Sequence, residues 1–522
     1  VISDPQLARE FMTLRSAIST GVFSFLWLAA LFLAGALAVL KPPLLLALPL
    51  LILAVWFFVR HIPFFLGFLA VYSLFEEFLT KWLPPVMGSP ARYWGEALIL
   101  LVFLHLLLRN WQAGRLWRRT PLDGPILLIL AAAGLSTLMN GAPALVGLLG
   151  IKNLIRYFFL FYVVVNLDLP PRFSRRLLAA VAVAAIVVCA IGVVQSAAGE
   201  NFSQVLKPRD VYFKGKLIRE STRQDLGGTT KIFSTLGRYN HLGNFLFFIL
   251  CLTLGIYLAA RKTDNLRLGY FFFALLCLAA LGLSYSRMSW IGLVLGVFFI
   301  FSLLKQYQAW IYWSVFSAVL GLSLLLAREV SWKAGEEKQA TLSERYLSTF
   351  SPGKFRQSFK SDRLYALLTV APRVLQRYPI LGVGPGTLAS EVTGAGRGTP
   401  GIFPEHSHRR WLDIDNYRLT YISDSGWTSL LAQMGLLGLF AVVWLLTRVF
   451  GICAAVYDSS SSSFNRGIAL GLLGVWAGLI FQNFVSFNLI NRIPMLHFWL
   501  WLGIIANELV RREDGLLGSR RL

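Results

Sequence analysis

Residues 240–304 read NHLGNFLFFILCLTLGIYLAARKTDNLRLGYFFFALLCLAALGLSYSRMSWIGLVLGVFFIFSLL. Three apolar runs, near 240–259, 269–285 and 288–304, are separated by the polar link RKTDNLR (261–267) and by the short turn SYSR (284–287). Each run approaches the ~20 residues that a helix needs to cross the hydrocarbon core of a bilayer. The runs are continuously apolar rather than alternating, which selects helices over the strands of a membrane barrel. The segment therefore predicts three consecutive crossings.

The same pattern extends in both directions. Towards the N-terminus, runs lie near 21–40, 44–58, 63–81, 94–108, 124–138, 152–167 and 177–197, and towards the C-terminus near 309–327, 427–447, 467–487 and 495–508. The expected fold is all-α, a single polytopic integral membrane domain over 1–522 with about 14 (12–14) transmembrane helices. The second, third and sixth spans are short or carry charge. Composition agrees: of 522 residues, 56% are hydrophobic and 14% charged, against about 45–50% and about 25% in soluble domains. The first apolar run lacks a small-residue cleavage site and reads as a helix rather than a removed signal.

Lysine and arginine in the short links set the expected orientation. Arg109, Arg115, Arg118 and Arg119, then Arg172, Arg175 and Arg176, then Arg261, Lys262 and Arg267, and finally Arg511, Arg512, Arg520 and Arg521 all fall on one side when fourteen spans are drawn. The positive-inside rule makes that side, with both termini, cytoplasmic. The net charge of +23 is then explained by anionic lipid headgroups, and a nucleic-acid partner is not indicated. Cys189, Cys251, Cys277 and Cys453 lie in or beside apolar runs and suggest neither a disulfide framework nor a zinc site.

Two long polar segments then face outwards, a first periplasmic loop at 198–239 and a large one at 328–426. In the first, Lys207, Arg209, Lys214, Lys216, Arg219, Arg223, Lys231 and Arg238 outnumber the acids. They are either a solvated surface or a site for an anion, for which guanidinium forks suit phosphate. In the second, residues 361–378 space apolar side chains at helical intervals, as an amphipathic helix on a membrane surface does. The Gly382, Gly384, Gly386 sequence GVGPG lacks the spacing of a nucleotide-binding loop and reads as a tight turn. The Ser459–Ser463 run reads as a flexible linker. Gly467 with Gly471 and Gly474 with Gly478 are small-residue pairs that favour close helix packing.

At four of these places the chain resembles the O-antigen ligase and polymerase superfamily of bacterial membrane glycosyltransferases. STLGRYNHLGNFLFF (234–248), LSYSRMSWIGLVLG (283–296), SDRLYALLTVAPRVLQRYPILGVGPGTL (361–388) and DSGWTSLLAQMGLLGLF (424–440) follow in the family's order. The resemblance implies a polyprenyl-diphosphate-linked glycan donor and a glycan acceptor, met at the periplasmic face of the bacterial inner membrane. It also implies inverting glycosyl transfer with no metal and no other cofactor. The acceptor is another lipid-linked repeat for a polymerase and lipid A core for a ligase. Ligases carry a histidine where this chain has Asp424, and an acid there looks more like the polymerase branch.

Each candidate residue has two readings. Arg287, in the SYSR turn, either snorkels to the interface or binds the diphosphate. Arg238 precedes a helix start whose dipole also attracts anions. Arg363 begins the amphipathic helix and can reach the same ligand; Arg209, Arg219 and Arg223 are otherwise solvated loop residues. Asp424 is either the base that deprotonates the acceptor hydroxyl or a helix N-cap. His406 and His408 are its alternatives as base, and no further ligand has the spacing for a metal. His241 reads as a local hydrogen-bond partner, and Glu76, Glu77 and Glu96 receive no role. Outside this class, a secondary transporter would also have many helices, but the chain shows no internal repeat.

Overall fold

The computed structural model describes residues 53–83, 93–114, 117–170, 172–208, 211–213, 216–219, 231–260, 267–304, 314, 317, 351–353, 365–388 and 425–519. Eight helices in these segments are long and apolar enough to cross a membrane, or ten if each of two bent pairs counts as one crossing. The expected span at 21–40 and all but residues 314 and 317 of that at 309–327 lie outside the described residues.

In chain order, α1 (Leu53–Arg60) and α2 (Ile62–Tyr72) form the first bent pair, meeting at 113°. The short α3 (Glu76–Thr80) precedes α4 (Trp94–Gln112) and α5 (Asp123–Met139). The second bent pair is α6 (Ala144–Ile155) with α7 (Phe158–Val165), turned by 50°. Then follow α8 (Phe173–Leu206), α9 (Tyr239–Ala259), α10 (Arg267–Ser284) and α11 (Arg287–Leu304). The expected amphipathic helix appears as a π turn at Ala366–Val370 running into α12 (Ala371–Arg377). The chain ends with α13 (Gly426–Ser459), α14 (Ser463–Gln482) and α15 (Arg492–Ser519).

The two sharply bent helix pairs fall on the three spans with the weakest sequence signal. The described parts of the second and third, α1 and α2, form one bent pair, with Pro63 in the first turn of α2 beyond the bend. Proline removes a backbone donor there and suits only a helix start. The sixth, expected at 152–167, breaks at Arg156 and Tyr157, so Lys152 and Arg156 sit at a joint instead of inside an unbroken span. The all-α expectation needs one addition, an antiparallel hairpin of β1 (Val211–Phe213) and β2 (Lys216–Arg219). Part of the expected 198–239 loop is helical as well, because α8 continues to Leu206 beyond a kink at Gly199.

α9 and α15 form the centre of the bundle, with 78% and 89% of their apolar windows buried, whereas the buried share of α10 and α11 is 22%. The central contact runs through glycines. A methyl group added at Gly255 of α9 would collide with the backbone of Gly467 and Gly471 of α14, and one at Gly471 would lie 2.6 Å from Leu252 Cα. Gly474 and Gly478 meet Gly296 and Gly292 of α11 in the same way. Both small-residue pairs read from the sequence are therefore helix contacts, made close enough for dispersion to hold helices that gain nothing from leaving lipid. We expect Gly471→Leu to lower the melting temperature of the purified protein sharply, since overpacking against backbone costs about 1–3 kcal/mol or more. Gly451→Ala, which meets nothing within 4 Å, should leave it unchanged. Equal melting of the two variants would show that the α9–α14 contact is not close-packed.

The serine run is not a loose linker. α13 ends at Ser459 and α14 begins at Ser463. Ser462 caps α14 by accepting from Asn465 N. Glu508 of α15 accepts from Ser460 Oγ at 2.8 Å and from Asn465 Nδ2 at 2.6 Å. Serine's preference for helix caps over linkers explains the difference. All four cysteines are buried and free.

Candidate active site

The chain between α8 and α9 is fastened before it reaches Arg238. Gln195 Oε1 accepts from the backbone N–H of Phe233 and Ser234 at 3.0 and 2.8 Å. Ser234 Oγ donates to Val188 O at 2.7 Å, and Thr235 Oγ1 to Leu74 O at 2.7 Å. Ser234 is held at φ 51° and Gly237 at φ 71°. Residues 231–237 are buried, Lys231 among them, so this end of the expected loop is a fixed plug rather than solvated chain. Lys231 Nζ lies 5.1 Å over the Tyr239 ring. Arg238 follows, half-buried, as the N-cap of α9.

The SYSR turn is fixed from the other side. Tyr285 adopts φ 54°; among the described residues, it and Ser234 are the non-glycine positions with positive φ. Strained positions of this kind cost about 1–3 kcal/mol and persist where the surroundings over-determine them. Here the surroundings are a chain of buried hydrogen bonds. Ser286 and Ser289 hydroxyls are 2.8 Å apart, Ser289 Oγ donates to Asn244 Oδ1 at 2.8 Å, and Asn244 Nδ2 donates to Asn488 Oδ1 at 2.8 Å. Asn488 Nδ2 then donates to Gln482 Oε1 at 2.6 Å, and Gln482 Nε2 to Met288 O at 3.0 Å. This circuit ties α9, α11, α14 and the 488–490 turn together at the N-terminus of α11, where Arg287 stands half-buried. Fully satisfied buried networks hold their members rigidly. The Ser286 side chain packs directly against Gly243 of α9, so the turns carrying Arg238 and Arg287 share one layer.

A group of charges that the sequence left without a role lies at the same end. Glu96 of α4 binds Arg156 at 2.9 Å, Lys152 at 3.2 Å and Arg492 at 3.3 Å, and Arg492 reaches Glu76 at 3.2 Å. The side chains of Arg156 and Glu96 are 7% and 11% exposed. At such depth an unpaired charge would be prohibitive, and pairing is what permits the cluster. Gly237 packs against Glu77, next in sequence to Glu76, so the cluster adjoins Arg238. Among the described residues, Lys152, Arg156, Lys231, Arg238, Arg287 and Arg492 lie at this end of the bundle with Glu76, Glu77 and Glu96, so cations outnumber acids there.

The tight GVGPG turn has a structural partner. α13 is broken at Gly435 (φ 63°, ψ −162°), which frees backbone groups that an intact helix would pair. Segment 379–384 pairs them. Val383 N donates to Ala432 O at 2.9 Å and Gly384 N to Gln433 O at 3.0 Å, while Leu436 N and Leu437 N donate to Pro379 O and Ile380 O at 3.0 and 3.1 Å. Gly386 N also donates to Gln433 Oε1 at 2.7 Å. Gly382, Gly384 and Gly386 all take positive φ, and a side chain at Gly382 would strike the α13 backbone. The buried stripe of the preceding helix, Ala366, Val370 and Val374, packs with Val383 and Ala432 onto this break.

Of the candidates read from the sequence, the structure brings Arg238 and Arg287 to one layer. Arg219 closes β2, with its side chain outside the described residues. Arg209, Arg223, Arg363, His406, His408 and Asp424 lie outside the described residues. The N-cap of α13 is Ser425 rather than Asp424. Its hydroxyl pairs with Thr428 Oγ1 at 2.8 Å, and the Gly426 that follows packs on Asn483, beside Gln482 of the circuit. α13 begins at Gly426, so its cap position falls on Ser425. His241 is half-buried at the start of α9, where its N–H donates to the Asn240 side chain at 3.1 Å. Sequence reading missed Lys152, Arg156, Arg492 and the Asn244–Asn488–Gln482 circuit. The available signal was a lysine and an arginine four apart in an apolar run, since ionisable groups at membrane depth are functional candidates by default.

Residues 272–443 match the family Wzy_C, described as O-antigen ligase. The match takes in the SYSR turn, the GVGPG block and the start of α13, and the resemblance to the O-antigen ligase and polymerase superfamily holds over that stretch. No curated protein matches the chain.

Proposed function

We propose that the protein is a membrane glycosyltransferase that polymerises polyprenyl-diphosphate-linked oligosaccharide repeats at the periplasmic face of a bacterial inner membrane. The observation that carries this is the cationic layer built on two strained turns, whose backbones beside Arg238 and Arg287 are fixed by buried hydrogen bonds. Transfer from a polyprenyl diphosphate needs little covalent help if cations stabilise the charge developing on the leaving diphosphate. Arg287 and Arg238 hold that diphosphate, with Arg363, Arg223 and Arg219 as further contacts. Glu96 and Glu76 pair with Arg156 and Arg492 and hold them in place at the same end. Asp424 accepts the proton of the acceptor hydroxyl as it attacks the anomeric carbon, and the glycosyl–phosphate bond breaks with inversion. No step here calls for a metal or nucleotide sugar.

A second reading, an O-antigen ligase that transfers the finished glycan to lipid A core, is favoured by the description of the matching family. Deleting the gene distinguishes the two. Loss of chain length on lipid-linked glycan supports the polymerase; full-length glycan left unattached supports the ligase; an unchanged glycan profile sinks both. The orientation has its own test. Single cysteines placed near 335 and 400 should react with a membrane-impermeant maleimide added from the periplasm, and those near 115 and 515 should not. The reverse pattern would put the site in the cytoplasm, away from the proposed donor.

A further inference from the structure

At the opposite end of the bundle a cavity of about 470 Å³ opens between the α1–α2 bend, the last turn of α4 and the chain leaving α7. Arg60, Arg109, Asn110 and Asp168 supply its polar wall. Asp168 is already engaged, 3.1 Å from Arg118 and 3.4 Å from Arg511. The segment bearing it is pinned from below. Asn507 Nδ2 donates to the carbonyls of Val164, Val165 and Leu167 at 2.9, 2.7 and 2.8 Å, and Arg511 also donates to Leu167 O at 3.0 Å. Arg60 and Arg109 make no ion pair among the described residues. Among the described residues, the wall therefore presents two guanidinium groups without an ion-pair partner beside a carboxylate that is paired with two further arginines. Such a recess attracts an anion.

The rim indicates the source of that anion. Trp56, Phe57 and Phe64 on the α1–α2 bend, and Leu107, Leu108 and Trp111 on α4, are each between 40% and 59% exposed. Exposed tryptophans at the end of apolar helices mark the headgroup level of a membrane. The Arg60 guanidinium lies 5.4 Å over the Trp56 ring, which occupies its face and leaves its N–H edges for phosphate oxygens. A free phosphate would need only the arginines. A cavity with cations inside and apolar surface outside suits a ligand with an anionic head and hydrocarbon tails.

We propose that this cavity binds the phosphodiester headgroup of an anionic phospholipid from the adjoining leaflet. Arg60 and Arg109 grip the phosphate, Asn110 lines the recess, and the acyl chains lie along the exposed side chains of α2 and α4. The site is independent of glycosyl transfer and lies at the other end of the bundle from Arg238 and Arg287.

The test uses the full-length protein in dodecyl maltoside, titrated with dioleoylphosphatidylglycerol, dioleoylphosphatidylcholine or inorganic phosphate, with bound lipid counted by native mass spectrometry. Phosphatidylglycerol should be retained in preference to phosphatidylcholine. Its apparent Kd should weaken about tenfold or more in the Arg60→Gln, Arg109→Gln double variant, which loses two charge-assisted contacts. Ala113→Asp, which places a carboxylate in the cavity wall without touching either arginine, should weaken it comparably and guards against misfolding of the double variant. Arg448→Gln, which removes an exposed cation elsewhere, should not change it. Equal retention of the two lipids, an unchanged Kd in both cavity variants, or phosphate competing as well as phosphatidylglycerol would overturn the proposal.

Discussion

Arg287→Ala is expected to lower transfer from a polyprenyl-diphosphate-linked repeat by about 10²–10³-fold, the range seen when a preorganised electrostatic contact to developing charge is removed. The size follows from how the backbone that carries the side chain is held. Tyr285 is forced into the left-handed region just before it, and the Ser286–Ser289–Asn244–Asn488–Gln482 chain closes around the helix start. A group fixed before the substrate arrives gives up little order in the transition state, so its loss falls mainly on kcat. Arg287→Lys retains the charge but loses the planar fork, and a deficit of about tenfold or more is expected from the missing charge-assisted bond. Arg238→Ala should behave in the same way, because the 231–237 plug fixes the start of α9 as firmly as the SYSR turn fixes α11. Transfer is measured with purified protein of checked melting temperature, which separates the loss from unfolding. Full activity in both alanine variants would remove the diphosphate from this layer.

Asp424→Asn is the second large effect, an expected fall of about 10²–10⁴-fold, as for a general base. The substitution keeps shape and hydrogen-bonding capacity while removing the proton acceptor. Asp424→Ala should be no worse, whereas a structural role would make it clearly worse than asparagine. His406→Ala and His408→Ala provide the counter-test. If Asp424→Asn transfers at the normal rate and a histidine variant is inactive, the base is that histidine and the ligase reading gains. An ordinary carboxylate, with an unperturbed pKa of about 3.9, is a weak base at neutral pH. Glycosyl transfer through an oxocarbenium-like state asks less of its base than acyl transfer does, which makes a carboxylate adequate.

The two effects differ in how they depend on the rest of the chain. Arg287 and Arg238 stand on helices whose starts are set by several segments at once, so disturbing the amide circuit should impair them without touching the ligand. The Gly435 break joins the GVGPG turn to α13 through the backbone of Ala432 and Gln433. The large polar segment and the last three helices are coupled there, close to the residue at which α13 begins.

Much of the architecture was legible in the sequence because lipid is an exacting solvent. A helix that crosses it must be continuously apolar, so α4, α5, α8, α9, α10, α11, α13, α14 and α15 follow the runs that announce them. The glycine pairs of α14 were legible for a related reason: small residues are the means by which helices approach in lipid. The Arg287 turn stood out because a polar gap between two apolar runs has to reach the surface. Local pattern could not reveal contacts made over long stretches of chain. Nothing in MGLLGLF marks a broken helix, since the carbonyls freed at Gly435 find their donors some fifty residues earlier, in segment 379–384. The serine run looked like a linker until Glu508 of α15 supplied its partner. Lys152 and Arg156 looked like defects in a span. Only packing placed Glu96 of α4 and Arg492 of α15 against them, and a charge at membrane depth is tolerable only where tertiary structure delivers the opposite charge.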